Sequence, residues 1–374
     1  MENKTKIIAM YLPQYHEIPE NNEFWGKGFS DWVSVKKAKP LFKDHYEPRI
    51  PLNNNYYDLS LKDNVKWQTQ LAKKYGIDGL GIYHYWFNND KNLLTKPAEI
   101  ILENKDIDTE FFFAWDNASW IRSWSNVFGN NWAPNMEHGK RKKGEPMVLI
   151  PYVIGDEPDW INHYNWLRPF FLDSRYIKKD SKPLFIIFNY DEQIAKMCAC
   201  WDRLAKQDGL NGMFFIFRYG ERYHIPETEN IFKYEPLYSG WNNPPTLLER
   251  IIGKIGRTFG VEFGPKRYSY DEVWEAILEN AREMERKEVY HGAFVMYDDT
   301  PRRGKRGKLA LGNSADKFQK YLSELLKISA SQGKEFVFLT AWNEWGEGAY
   351  LEPDSKWNYS YLEAIKRIKE VGHD

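Results

Sequence analysis

The sequence predicts an α/β fold, a single (β/α)8 TIM barrel with long loops at the carboxyl-terminal face of its strands. Eight short apolar strands, mostly separated by amphipathic helices, follow one another along the 374 residues. Alternation of this kind implies parallel strands joined by right-handed crossovers, and eight such units suggest a closed barrel. An open doubly wound sheet would more often carry a glycine-rich phosphate turn after its first strand, but Leu12-Pro-Gln stands at that point.

Each predicted strand is a run of apolar, β-prone residues that is too short for a helix. The strands are Lys6–Tyr11, Gly79–Tyr83, Phe111–Ala114, Pro183–Phe188, Met213–Phe217, Ile231–Tyr234, Ala293–Met296 and Phe336–Thr340. Helices are predicted where apolar residues recur at helical spacing, at Asp63–Tyr75, Pro97–Asn104, Asp159–Phe171 and Glu192–Lys206, and from Asp271, Ser314 and Asn358 onward. Residues 17–58 and 126–153 are predicted to have little regular structure. Without an internal repeat or linker, we expect one domain over residues 1–374.

Composition narrows the class of partner. Lys and Arg together number 52 and Asp and Glu 53, so the formal net charge is −1 and no polyanionic partner such as nucleic acid is indicated. Aromatic residues make up 17% of the chain, and such a surplus is typical of surfaces that stack against neutral carbohydrate. The first residues lead directly into a strand, and no apolar run is long enough to span a bilayer. We therefore expect a cytoplasmic protein without a membrane span. The sequence does not predict its oligomeric state.

The strongest chemical signal follows the eighth strand, in residues 342–348, Trp-Asn-Glu-Trp-Gly-Glu-Gly. A helical turn there would place Glu344 and Glu347 on one side, roughly 5–6 Å apart at Cβ, which suits a carboxyl pair serving one glycosidic bond. Trp342 and Trp345 would offer flat faces to a sugar ring, with Asn343 between them. The alternative is that Glu344 caps a helix and the indoles fill the core, but a cap needs neither the second glutamate nor both indoles.

Further polar and aromatic side chains lie at or just past strand ends, at the rim where barrel enzymes hold their chemistry. We predict that the substrate-binding residues are Tyr11, His16, His84, Trp86, Trp115, Asp116, Asn189, Glu235, Asp298, Arg302, Trp342, Asn343 and Trp345. Alternatives stay open for three of these positions. His84 could be a packed histidine, Asp116 could belong to a turn, and Arg302 with Arg303 could meet an acidic substrate group or pair with Asp298 and Asp299.

Other chemistries fit poorly. The sequence has no zinc-ligand spacing, HExxH motif, Gly-x-Ser-x-Gly elbow or P-loop. Asp106-Ile-Asp108 has the form of a metal–nucleotide motif, but it precedes the third strand, at the rim opposite the expected site. We therefore predict that neither a metal nor a cofactor is used.

Six motifs are spread along the chain: Tyr11-Leu-Pro-Gln-Tyr-His, Phe24-Trp-Gly-Lys-Gly-Phe-Ser-Asp-Trp, Tyr75-Gly-Ile-Asp-Gly, Lys182-Pro-Leu-Phe, Asp299-Thr-Pro-Arg-Arg-Gly and the stretch from Ala341 to Asp354. Together they resemble the WbsX-type family, whose members are commonly labelled glycosyltransferases or lipopolysaccharide-biosynthesis proteins, and the resemblance runs from Lys6 to about Ile368. That family is related to family 99 of the glycoside hydrolases, retaining (β/α)8 enzymes that cleave α-mannosides.

The resemblance to family 99 implies roles for the two glutamates, because Asn343–Gly348 matches its Asn-Glu-Trp-x-Glu-Gly motif. Glu344 would deprotonate the substrate 2-hydroxyl, which attacks C1 and forms a 1,2-anhydro sugar. Glu347 would protonate the departing oxygen and then activate water. We therefore expect a retaining hydrolase of an α-linked, mannoside-like oligosaccharide or polysaccharide. The alternatives are a glycosyltransferase of lipopolysaccharide, O-antigen or capsular polysaccharide biosynthesis, and a non-catalytic glycan-binding protein.

Overall fold

The computed structural model describes residues 5–121, 148–220, 224–241, 264–283 and 288–371. Eight parallel strands form a closed barrel in which each pairs with its neighbours along the chain and the eighth pairs with the first. They are β1 (Lys6–Tyr11), β2 (Gly79–Asn88), β3 (Phe111–Trp115), β4 (Lys182–Ile187), β5 (Phe214–Arg218), β6 (Asn230–Phe232), β7 (Val289–Phe294) and β8 (Phe336–Thr340). The predicted (β/α)8 barrel is confirmed.

Ten helices accompany the barrel within the described residues. They are α1 (Pro19–Trp25), α2 (Asp31–Lys37), α3 (Lys62–Lys74), α4 (Lys96–Glu103), α5 (Glu157–Leu172), α6 (Glu192–Gln207), α7 (Tyr270–Arg282), α8 (Thr300–Arg303), α9 (Ala315–Ser331) and α10 (Ser360–Val371). Helices α3, α4, α5, α6, α7 and α9 lie in crossovers between consecutive barrel strands. In the crossover from β5 to β6, the described residues 219–220 and 224–229 contain no helix.

Short strands and 3-10 turns lie outside the eight barrel strands. Small strands pair outside the main ladder at Lys91–Leu93 with β2, Lys178–Lys179 with β4, Trp120–Ile121 with Val148–Ile150, Lys266–Ser269 with Lys308–Leu311, and Asn343–Glu344 with Ala349–Tyr350. Single 3-10 turns occur at Leu52–Asn54, Gly304–Arg306 and Trp345–Glu347. Of the helices described, none is long and apolar enough to cross a membrane.

Burial explains why the strands read as continuous apolar runs. All five residues of β8 are buried, and in the ladder with β1 the register pairs Ile7 with Val337 and Ala9 with Leu339. A parallel barrel covers both faces of its strands, so the apolar–polar alternation of a half-exposed strand is absent. Helix starts follow local capping: Ser314 accepts a hydrogen bond from the Lys317 amide at 3.3 Å at the start of α9.

One predicted loop region is wrong. Residues 17–58 contain α1, α2 and the first 3-10 turn. The two helices have seven residues each, too few to show a periodic apolar pattern, and packing of Phe24, Trp32 and Val35 into the core stabilises them. Of the second predicted irregular stretch, 126–153, residues 126–147 lie outside the described residues, and Val148–Ile150 forms a strand.

Candidate active site

The turn after β8 brings the two glutamates together. Asn343–Glu344 pairs antiparallel with Ala349–Tyr350, and one 3-10 turn, Trp345–Glu347, joins them. Gly348 closes the turn in the left-handed region, at φ 54°, a conformation that glycine adopts without steric cost. The carboxyl groups of Glu344 and Glu347 lie within hydrogen-bonding reach of each other. The structure thus supplies the helical turn that the spacing predicted.

Both glutamates face a cleft of about 400 Å³. Its charged lining residues are Asp116, Arg218, Arg302, Arg303, Glu344 and Glu347, and its aromatic ones are Trp25, Tyr83, Tyr85, Trp120, Phe188 and Tyr234. The cleft opens at the carboxyl-terminal end of the barrel strands. Aromatic rings around a few convergent polar groups are the usual lining of a small-ligand site.

An arginine links the second glutamate to α2. Arg302 Nη1 donates to Glu347 Oε1 at 2.7 Å, and Nη2 donates to Asp31 Oδ2 at 3.1 Å. Gly346 makes room for this arrangement, because a Cβ at that position would lie 2.6 Å from both Arg302 Nε and Asp31 Oδ2. Of the two alternatives for the arginines, Arg303 does pair with Asp299, at 3.1 Å, whereas Arg302 pairs with Asp31 and Glu347.

The electrostatics of the pair favour one shared proton. The Glu344 residue is only 6% exposed. Burial raises the pKa of Glu344 well above its usual value, the neighbouring Glu347 carboxylate raises it further, and the Arg302 guanidinium opposes the shift. Two carboxylates this close cannot both ionise readily. Burial and the adjacent carboxylate therefore favour the protonated form of Glu344.

The backbone of the turn is fixed from the β1 side. Asn343 Oδ1 accepts from the Leu12 amide at 2.7 Å, and its Nδ2 donates to the Leu12 carbonyl at 3.0 Å. The Tyr15 hydroxyl accepts from the Trp345 amide at 3.0 Å and donates to the Asn343 carbonyl at 2.5 Å. Asn343, predicted to bind substrate, has a fully buried side chain that positions the turn.

A buried carboxylate anchors the other side of the turn. Glu352 accepts hydrogen bonds at 2.7 Å from Trp345 Nε1, the Tyr57 hydroxyl and Gln68 Nε2. Burial raises the pKa of Glu352 to about 7, although these donors oppose the shift. Tyr11 joins the same network by donating to Gln68 Oε1 at 2.7 Å.

Several residues predicted to contact substrate are buried away from the cleft. Tyr11 is wholly buried beneath the turn, and Trp345 is buried against Tyr350, with ring centroids 3.8 Å apart. Trp342 lies just after β8, and its side chain packs in the core with an exposed fraction of 0%. Both indoles next to the glutamates pack in the interior, which is the placement that the alternative interpretation of this motif gave them.

The residues predicted to bind substrate on β2 and β3 lie outside the barrel for one shared reason. Because β2 continues to Asn88, strand alternation turns Tyr83 and Tyr85 into the barrel and His84 and Trp86 outward. His84 Nε2 lies 2.8 Å from His163 Nε2, and Trp86 stacks on His163 at 4.2 Å. Burial lowers the pKa of His84 to about 3, and the packing of its ring matches the packed-histidine alternative.

Trp115 belongs to the same buried cluster, where its Nε1 donates to the Trp86 carbonyl at 2.9 Å. Two other predicted contacts are also buried away from the cleft. Glu235 accepts from the Ser239 amide at 2.8 Å and hydroxyl at 2.5 Å, and burial raises its pKa to about 7. His16 is buried, does not line the cleft, and has its pKa lowered by burial.

Asp298 supports the turn from below and does not reach the cleft. Its backbone amide donates to the Glu347 carbonyl at 2.7 Å. Its Oδ2 lies 2.8 Å from His45 Nε2 and accepts a hydrogen bond from Arg49 Nη2 at 3.3 Å. His45, Glu47 and Asp298 have ligand atoms close enough to hold a metal ion. Arg49 already supplies the positive charge there, because it also pairs with Glu47 at 3.0 Å. This donor set therefore fits a metal poorly.

Of the predicted binding residues, Asp116 and Arg302 line the cleft together with the glutamates. Burial raises the pKa of Asp116, and Arg218 opposes that shift. Asn189 acts indirectly, because its Oδ1 accepts from Arg218 Nη2 at 3.2 Å. Sequence reasoning missed two groups: the aromatic lining, and the supports Asp31 and Tyr15. Alternation along β2 was the available signal for Tyr83 and Tyr85.

The fold class is a parallel (β/α)8 barrel whose carboxyl-terminal end holds a glutamate pair in an aromatic cleft. The chain belongs to the family described as "Glycosyltransferase WbsX", whose model matches residues 7–365. It is 26% identical over 371 residues to "Uncharacterized protein WxcX" of Xanthomonas campestris pv. campestris (strain B100). That alignment covers 96% of this chain and 49% of WxcX, so the chain spans about half the length of the curated relatives it matches.

Solved structures share the fold at low sequence identity. A GH99 endo-α-mannosidase from Bacteroides thetaiotaomicron gives a TM-score of 0.55 at 12% identity, covering 100% of this chain and 98% of that one. A chain described as "Glycoside hydrolase-like protein" also gives 0.55, at 13% identity, covering 98% of this chain and 94% of that one. At such identities the likeness shows the barrel architecture alone.

Proposed function

We propose that this chain is a retaining glycoside hydrolase that cleaves an α-linked, mannoside-like oligosaccharide or polysaccharide. The observation that carries the proposal is the Glu344–Glu347 pair, held within hydrogen-bonding reach at the wall of an aromatic cleft. A pair that shares one proton has both an acid and a base available, and glycoside cleavage needs both. The family match and the shared barrel support it.

In the proposed first step, Glu344 takes the proton of the substrate 2-hydroxyl. The freed oxygen attacks C1 and forms a 1,2-anhydro sugar as the C1–O bond to the leaving group breaks. Glu347 gives its proton to the leaving oxygen. In the second step Glu347 takes a proton from water, which attacks C1, and the ring-opened O2 recovers its proton from Glu344. Two inversions at C1 give net retention.

These roles require the proton to begin on Glu347, whereas burial and the neighbouring charge favour Glu344. The two carboxyl groups are within hydrogen-bonding reach, so the proton can pass directly from Glu344 to Glu347 when substrate binds. Arg302 would keep its ion pair with Asp31, at 3.1 Å, after Glu347 becomes neutral. The transfer leaves both groups in the state that the first step needs.

The rest of the cleft suits a sugar. Trp25, Trp120 and Tyr85 present aromatic surface to the cavity, where they can contact the apolar faces of a pyranose ring. Asp116 and Arg218 can accept from and donate to hydroxyl groups. We propose that these residues replace Trp342 and Trp345 as the sugar-contacting set.

A second candidate is a glycosyltransferase of lipopolysaccharide, O-antigen or capsular polysaccharide biosynthesis, which the family description favours. Such an enzyme could use the same glutamate pair if a sugar hydroxyl, in place of water, attacked the anhydro sugar. The two candidates therefore differ in the acceptor and in the donor's leaving group.

The two glutamate roles can be separated by substitution. Glu347→Gln should reduce cleavage of natural linkages by about 10²–10⁴-fold, the usual value of general acid–base catalysis. It should spare the first step with aryl glycosides, whose leaving groups need no proton. Glu344→Gln should damage both substrates alike. Initial rates on matched aryl and alkyl glycosides would measure this, and equal losses with both substrates in both variants would contradict the proposed roles; swapped patterns would reverse them.

Product analysis by mass spectrometry would distinguish hydrolase from transferase. Wild type and Glu347→Gln are incubated with a panel of surface and mannose-containing oligosaccharides, with and without nucleotide sugars. We expect cleavage that needs no nucleotide and that the variant loses. Product formed only with a nucleotide sugar would favour the transferase instead.

A further inference from the structure

A second cavity of about 380 Å³ lies on the other side of the turn that carries the glutamates. Its walls come from residues 51–55, from Trp67 on α3, and from residues 352, 353 and 359. Trp345 lines this cavity, whereas Glu344 and Glu347, its neighbours in the same turn, line the catalytic cleft. The volume falls within the range of small-molecule sites, roughly 300–1,000 Å³.

The chemistry of this cavity suits a neutral, hydroxyl-rich ligand. Trp67 and Tyr359 contribute half-buried rings, and Asn53, Asn54 and Asn55 contribute three consecutive amides. Each amide has two donors and an acceptor, and within the described residues none of the three side chains makes a hydrogen bond to protein. Rings paired with amides offer the apolar surface and the hydrogen bonds that a pyranose needs.

A charged ligand would find little in this cavity to neutralise it. Glu352 is the one lining residue, among those described, with an acidic or basic side chain. Its oxygens already accept from Trp345, Tyr57 and Gln68. It therefore serves as part of the wall and offers no free partner to a cationic ligand, and no cation is present for an anionic one.

The amide-bearing loop is held in place before any ligand binds. The Leu52 amide donates to the Pro353 carbonyl at 2.9 Å, and the Ser355 amide donates to the Ile50 carbonyl at 2.9 Å. Asn53 and Asn54 both adopt the left-handed region, at φ 57° and 55°, which asparagine tolerates better than most residues. Two consecutive residues of this kind persist only where the surrounding structure holds them.

We propose that this cavity is a second carbohydrate-binding site, which holds a neutral part of the glycan while the cleft acts on another part. Its ligand class rests on the proposed function, but its existence as a binding site does not. A glycan held there would raise the local concentration of substrate at the cleft. The site should therefore affect action on long glycans and leave small substrates unaffected.

Binding is tested in the Glu344→Gln/Glu347→Gln protein, so that turnover does not interfere. The probes are linear neutral α-mannooligosaccharides of two to six residues, and oligogalacturonides of equal length serve as the charged comparison. We expect titration calorimetry to show binding that Trp67→Ala weakens at least tenfold. The Asn53→Gly/Asn54→Gly variant should do the same, because it removes two of the three side-chain amides while glycine keeps the left-handed backbone.

A matched control is Trp160→Ala, which removes another half-buried tryptophan, on α5, that lines neither cavity. Binding of the neutral probes unaffected by both cavity variants, or lost equally in the control, would overturn the proposal. So would an absence of saturable binding for every neutral probe. Hydrolysis of aryl glycosides by the Trp67→Ala single variant, with both glutamates intact, is measured separately. If neither this variant nor the wild type hydrolysed aryl glycosides, the proposed function would be contradicted, but the binding result would not be affected.

Discussion

The two cavities on either side of the turn after β8 are similar in volume, about 400 and about 380 Å³. They differ in the number of charged side chains that line them. The cleft contains six charged side chains among its described lining residues, while the cavity behind Trp345 contains only Glu352. Both are rich in aromatic rings, so aromatic content does not separate them. We infer that catalysis requires the charged groups clustered in the cleft, whereas the rings and amides of the second cavity are suited to binding alone.

One turn of chain produces this division. Between Glu344 and Glu347 the 3-10 turn directs both carboxylates to the cleft and the indole of Trp345 to the other side. Asn343 and Tyr15 fix the backbone of the turn through four hydrogen bonds. A change on one side of the turn can therefore be tested for its effect on the other side.

The largest effect on the catalytic side is expected from Gly346→Ala. A Cβ would lie 2.6 Å from Arg302 Nε, so the guanidinium must move away from Glu347 and Asp31. We expect kcat to fall about hundredfold or more, the order found when one preorganised charge contact is lost. Neutral glycan binding behind Trp345 should be retained within twofold. Steady-state kinetics and calorimetry on the same preparation would measure both.

Gly333→Ala is the control for a general loss of stability. Gly333 has φ 68° and open space around its Cα, so alanine there strains the backbone far from the cleft. It should lower the melting temperature and leave kcat unchanged. If Gly346→Ala retained full activity, the Arg302–Glu347 contact would have no part in catalysis.

The sequence predicted the barrel well because strand identity is local information. Each of the eight predicted strands overlaps a barrel strand, and the bounds of β1 and β8 agree fully. Apolar runs of five or six residues between helices carry this signal themselves. The glutamate pair was also local, since three-residue spacing and a short turn suffice to bring the carboxyl groups together.

The side that each residue faces was not local information. The predicted second strand ended at Tyr83, whereas β2 continues to Asn88. The shorter prediction left out the residues whose alternation turns Tyr85 inward and His84 outward. Asp31 lies on a seven-residue helix without a periodic pattern, and it reaches Arg302 across 271 residues of sequence. Contacts of this kind depend on tertiary packing, which propensity and spacing do not contain.

Arg302→Gln removes the same contact with Glu347, so kcat should also fall, and in addition the pH profile should shift by a smaller factor. The Arg302 charge lowers the pKa of Glu344 against the effects of burial and Glu347, so its removal should raise that pKa further. A base must lose its proton to act, and the acid limb of kcat/KM should therefore move to higher pH. A shift of one unit would lower the rate on that limb about tenfold.

The pH profile of kcat/KM on an aryl glycoside would measure this shift, with Arg302→Lys as the charge-retaining control. The lysine variant should shift the limb less, because it keeps a positive charge but loses the two-pronged contact. An acid limb at the same pH in wild type and Arg302→Gln would mean that the limb reports some group other than the pair.

The smallest effect on catalysis is expected from Glu352→Gln, in the wall of the second cavity. The introduced amide can still accept from Trp345 and Tyr57, and Gln68 can turn its own amide to match, so kcat should change less than about threefold. Its effect should instead be on stability. Burial raises the pKa of Glu352 to about 7 in the folded protein, against about 4.3 in an unfolded chain.

The folded protein therefore binds more protons than the unfolded chain between about pH 4.3 and pH 7, and its free energy of unfolding falls as pH rises through that interval. Glu352→Gln should remove a part of this fall on the order of 3 kcal/mol, giving a flatter curve in urea unfolding between pH 5 and pH 7. Glu235→Gln is the matched control, because burial raises the pKa of Glu235 to about 7 as well and that residue lies in neither cavity. Both variants should flatten the curve and leave neutral glycan binding behind Trp345 largely unchanged, because Glu352 offers no free partner to a ligand. If both altered binding equally, the second site would be responding to global stability, and the division between the two sides of the turn would be lost.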